Sequence, residues 1–157
     1  MEPNSFRTPL KVFTHADRVA RTIWGSPITF DRAASAANAL PGLPFNSLWP
    51  QPGSAGVDLF AQDDWEHHIN FIHVPFATLP RLLAFLPTTN SRAVVLAPMI
   101  HGRSWSHKIL PGAPGFVHRL VYSPADSPLL AHISSAPTET FKGTYAVVFF
   151  DFTPKGR

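Results

Sequence analysis

The run Ala93-Val94-Val95-Leu96-Ala97 has the length of a strand and no polar position on either face. A strand of that kind has to be covered from both sides, as in a parallel sheet with helices packed on each face. The elements on either side of it fit that demand. Ala16, Val19, Ala20 and Ile23 recur at helical spacing up to Gly25, and Thr14 with Asp17 three residues later reads as the N-cap of this first helix. Ile28, Thr29 and Phe30 form a short β-prone run between Pro27 and Asp31, which predicts a buried strand ending at an acidic residue. The Ala-rich stretch 32–40 predicts a helical turn or two before Pro41, Gly42 and Pro44 impose a loop that runs to Gly56. A second strand at Ile69–Ile72 runs into His73-Val74-Pro75-Phe76, where the proline ends regular pairing. Pro80 suits the first turn of a helix with Leu79, Leu82, Leu83 and Leu86 on one face and Pro87 at its close.

Residues 104–110 read as a short helix, and 116–122 and 145–152 as strands rich in β-branched and aromatic residues. Strands that alternate with helices and then follow one another predict an α/β fold. Its mainly parallel sheet is flanked by helices and carries antiparallel C-terminal edge strands. A chain of 157 residues with 45% hydrophobic and 15% charged side chains has one core to bury, so a single domain over 1–157 is expected, with its core at about 8–153. The 17 prolines and 9 glycines stand between the apolar runs as punctuation.

Chemistry is bounded next. The absence of cysteine excludes disulfides, zinc knuckles and thiol catalysis. No apolar run reaches the roughly 18 to 20 residues that cross a bilayer, and residues 1–5 have neither the charged nor the apolar region of a signal peptide. A soluble, intracellular chain without a membrane partner is expected. The net charge of +3 and pI near 9.7 suit a polyanionic partner. His67 and His68 are adjacent and would point apart on any regular element, and no carboxylate-rich ligand spacing accompanies them or His73, His101 and His107. No metal site is expected.

Read in order, Phe30-Asp31-Arg32-Ala33-Ala34-Ser35, Asn38-Ala39, Phe45-Asn46-Ser47, Leu59-Phe60-Ala61-Gln62-Asp63-Asp64-Trp65, Val94-Val95-Leu96-Ala97-Pro98 and Trp105-Ser106-His107 form a series. It resembles the phage-type DNA N6-adenine methyltransferases and their relatives in DIRS-like tyrosine-recombinase retrotransposons. The DIRS-like version is the closer, through Pro52-Gly53, the segment 57–62, and Pro75-Phe76 followed by Leu79-Pro80-Arg81-Leu82-Leu83.

The resemblance implies a methyltransferase-like (Rossmann-like) sheet, S-adenosylmethionine as cofactor and a nucleic-acid partner, DNA or RNA. It assigns the cofactor side to Asp31, Ala33 and Ser35, and the target-base motif to His73, Val74, Pro75 and Phe76. Asp31 has a second reading, as N-cap of the 32–40 turn, and both stay open. Adenine N6 methylation needs an acceptor of fixed polarity and a rigid carbonyl to orient the flipped base's amine. The family's Asn-Pro-Pro-aromatic motif supplies them, but here a histidine and a valine replace the first two residues. The family's Trp-His pair would place Trp105 and His107 at the site's edge. The expected function is therefore a degenerate, inactive methyltransferase-fold domain of retroelement origin, serving as a nucleic-acid-binding or structural component of a nucleoprotein assembly. The alternative is an active adenine methyltransferase. The nuclease that precedes this region in the retroelements would need a set of metal-binding carboxylates, of which only Asp31 is at hand.

Overall fold

The computed structural model describes residues 6–34, 39–125, 129–131, 140–141 and 143–154. In chain order the elements are β1 (Phe6–Arg7), α1 (Leu10–Trp24), β2 (Phe30–Asp31), β3 (Asn46–Ser47), β4 (Gly56–Val57) and β5 (Ile69–Ile72). They continue with α2 (Leu79–Phe85), β6 (Arg92–Pro98), β7 (Phe116–Tyr122), β8 (Leu129–Ala131), β9 (Thr140–Phe141) and β10 (Tyr145–Asp151). The main sheet has the order β2-β5-β6-β10-β7. β2, β5 and β6 pair in parallel, and β10 is antiparallel to both of its neighbours. The edge strand β7 thus runs in the direction of the parallel set. Reversal belongs to β10, one place in from the edge, so the C-terminal strands β10 and β7 form the antiparallel pairing expected at that edge.

β6 explains the apolar run that opened the argument. Val94 and Leu96 pack with Val12, Ala16 and Ala20 of α1, while Ala93, Val95 and Ala97 pack on the other face with Leu79, Leu82 and Leu83 of α2. β10 alternates in the same way, Val147 and Phe149 to one layer and Val148 and Phe150 to the other. Each fully buried side chain of this size contributes roughly 1.5–3 kcal/mol. The two inner strands are therefore the energetic centre of the α/β fold.

α1 ends at Gly25, left-handed at φ 70, as the sequence predicts. Its start differs. The helix begins at Leu10, with Pro9 as N-cap, and Thr14 lies inside it. Asp17, taken for a capping-box partner, instead receives Arg21 Nε at 3.0 Å and the Ile28 amide at 2.8 Å, tying the helix to the chain entering β2. The stretch 32–40 also departs from expectation, since residues 32–34 and 39–40 are not helical and 35–38 lie outside the described residues. Segment 39–57 is not featureless, because β3 and β4 pair in parallel and Phe45 forms a parallel bridge to Asp31.

Candidate functional site

β2 and β5 are neighbours, with Asp31 opposite Phe71, so Asp31 and His73 both stand at the carboxyl ends of adjacent parallel strands. In open α/β sheets that end is where ligands bind. Neither side chain opens into a crevice, however. Asp31 is buried, and its carboxylate accepts the amides of Ala33 at 3.3 Å and Leu40 at 3.4 Å. Burial outweighs those two long bonds and pushes its pKa from 3.8 up to about 7. His73 is also buried, with Nδ1 2.7 Å from the Thr8 hydroxyl just before α1.

The rest of the predicted motif has gone to packing. Val74 lies in the core with α2, the Pro75 carbonyl accepts the Thr78 amide at 2.8 Å, and Phe76 is half-buried against both core layers. Ala33 is half-buried beside the α2-side core, and Ser35 lies outside the described residues. Trp105 is core, and His107 is exposed, so this pair does not form a site edge. Among the described residues the Asp31 carboxylate is not open to the ammonium or hydroxyls of S-adenosylmethionine, because it is buried and already accepts the amides of its own loop.

Sequence reasoning passed over the residue next to Asp31. Arg32 is completely buried. Its Nε donates to Asn70 Oδ1 at 2.8 Å and its Nη1 to Asn46 Oδ1 at 3.0 Å, and Asp64 Oδ1 lies 2.9 Å from Nη1 as an ion pair out of hydrogen-bond line. Its guanidinium carbon sits 3.7 Å from the Phe30 ring centroid and 4.6 Å from that of Trp65. Burial pulls the pKa of Arg32 down and Asp64 opposes the fall. Asn70 completes the knot by donating to the carbonyls of Trp65, His68 and Arg92. The one available signal was the polar set Asn46, Asp64 and Asn70, and it is spread over three segments.

A cleft of about 260 Å³ opens beside Ser26, Thr29, Glu66, His68, Arg92 and Thr153. These residues flank the amino ends of β2, β5 and β6, the end opposite Asp31 and His73. Within it Thr29 Oγ1 lies 3.0 Å from His68 Nδ1, and His68 Nε2 lies 3.6 Å from Asp64 Oδ2. Hydroxyl, imidazole and carboxylate in line are the parts of an activated nucleophile. Three facts assign them to structure instead. Thr29 Oγ1 already accepts the Ile69 amide at 3.0 Å, Asp64 is spent on Arg32, and burial and Arg32 lower the pKa of His68, weakening it as a base.

Three of the basic residues are engaged by the chain's own groups. Arg81 stacks on Phe60, Arg92 pairs with Asp151 at 3.3 Å, and Arg119 reaches the Ile109 carbonyl. His67 is exposed beside Glu66, and no group of three or more His, Cys, Asp or Glu is gathered among the described residues. No described helix is long and apolar enough to cross a membrane. No known family model matches the chain, and no curated protein matches it either.

Proposed function

We propose that this chain is a methyltransferase-like domain, of the phage adenine-methyltransferase and DIRS-element type, that no longer transfers methyl groups. It serves as a nucleic-acid-binding or structural component of a nucleoprotein assembly. The observation that carries the reading is the closure of both halves of the expected site by the chain's own groups: Asp31 by the amides of Ala33 and Leu40, His73 by Thr8. The α/β sheet, with β2, β5 and β6 parallel and β10 reversed, is compatible with that lineage. The net charge of +3 supports a polyanionic partner.

Calorimetric titration with S-adenosylmethionine tests the loss of function. No heat of binding is expected, and no adenine methylation on single- or double-stranded DNA. The double change His73→Asn with Val74→Pro should restore no transfer, since Asp31 stays closed. Stoichiometric cofactor binding with methylation by the unmodified chain would overturn the reading in favour of an active enzyme. The nucleic-acid arm is tested by anisotropy of labelled DNA and RNA, with affinity expected to fall steeply between low and physiological salt. A flat salt response would sink that arm and leave the structural one.

A further inference from the structure

We infer that Leu48 and Trp49 are the anchor of a protein-binding surface, received by an apolar pocket on a partner protein. Leu48 is 68% exposed and Trp49 59%, and Val57, which the β3–β4 register sets beside Ser47, is 38% exposed. Two large apolar residues at consecutive positions, both mostly exposed, differ from the single surface hydrophobes that any domain carries.

The loop that presents them is built to hold its shape. The Ser47 hydroxyl lies 2.7 Å from the Trp49 carbonyl and 2.8 Å from Ser54 Oγ, and Ser54 Oγ donates to the Gly56 carbonyl at 2.9 Å. The Ser54 amide closes on Gln51 O at 3.1 Å and the Ala55 amide on Phe45 O at 2.8 Å. Gly53 takes the left-handed conformation, φ 80, that this Pro-Gly turn requires at its third position. An aromatic side chain on a pinned loop loses little freedom on binding, which is what makes tryptophan effective as an interface anchor.

Charge and area decide among occupants. No Asp, Glu, Lys, Arg or His occurs between Arg32 and Asp58, so this segment has no cation for a phosphate backbone or an anionic lipid surface. Charge-poor and aromatic is instead the composition of a protein interface core. The three side chains offer on the order of 300 Å² of apolar surface, well under the roughly 800 Å² per partner of a stable interface. That is too little for a self-sufficient homodimer and enough for one anchor in a pocket. The inference is independent of methyl transfer and of nucleic-acid binding.

A library of small folded domains with randomised surfaces displayed on phage, selected on the intact chain and counter-selected on a Leu48→Ala/Trp49→Ala variant, tests it. Domains with an apolar pocket should emerge that bind the wild type and bind Trp49→Ala at least about tenfold more weakly. The variant should keep the wild-type melting temperature, since an exposed ring contributes little to folding. Four results would overturn the inference: no domain whose binding depends on Trp49; a wild-type dimer in sedimentation that Trp49→Ala dissolves; binding to oligo(dT) or phosphatidylserine vesicles that Trp49→Ala abolishes; or a large fall in melting temperature.

Discussion

Asp31 and Arg32 are adjacent, oppositely charged and both buried, yet the sheet sends them to different layers and different fates. Arg32 reaches into the α2 layer, where Asn46, Asn70 and Asp64 meet its N–H groups and two aromatic faces cover its plane. Asp31 turns to the α1 layer, where the described residues offer it two long amide contacts. A charge out of water persists when its partners replace the lost hydration, and otherwise neutralises. Arg32 keeps its charge and holds three segments together. Asp31 is left near the point of protonation, and the fold tolerates it more than it uses it.

The largest expected effect breaks the Arg32 side of this contrast. Arg32→Met should cost about 4 kcal/mol or unfold the domain, because Asn46 and Asn70 lose their shared donor and Asp64 its ion-pair partner together. Urea unfolding checks it, and a loss below about 1 kcal/mol would show the knot to be ornamental.

The next prediction sharpens the Asp31 side. A carboxyl that binds its proton more tightly folded than unfolded contributes stability in full below about pH 4. That contribution is lost as pH rises towards 7. Wild-type stability should therefore fall by about 3 kcal/mol between pH 5 and pH 8 relative to Asp31→Asn, in which this dependence is absent. Equal pH profiles for the two proteins would mean that Asp31 is better solvated than its burial implies.

Asp64→Asn is a milder probe. It keeps an oxygen near Arg32 and removes the charge, and solvent partly screens Asp64, so about 1.5 kcal/mol is expected by thermal unfolding. The smallest effect belongs to the exposed pair Arg21–Asp17 on α1, where Arg21→Ala should cost only about 0.3 kcal/mol. A larger cost there would undo the distinction between buried and surface charge.

What the sequence disclosed follows the same division between local and distant causes. The Ala93 to Ala97 run announced a doubly covered strand because its partners are whole layers, and any apolar layer would do. Gly25 announced the end of α1 because a left-handed C-cap is set by one residue. The start of α1 was misread because Thr14 and Asp17 have the spacing of a capping box, while Asp17 is held by Arg21 and Ile28. The candidate site was legible only as a position. Asp31 at a strand end could be read, but the return of Leu40 onto its carboxylate, nine residues later, could not. Arg32 was invisible because arginine is ordinarily a surface residue, and its burial depends on Asn46, Asp64 and Asn70 converging from separate segments.

The reversed strand β10 also fixes the order of events during synthesis. Among the described residues β7 joins the main sheet only through β10, and until residues 145–151 leave the ribosome the sheet ends at β6. The nascent domain therefore shows an open edge of Ala, Val and Leu, the kind of template that captures other chains. Slowing translation before Tyr145 should therefore increase aggregation instead of relieving it.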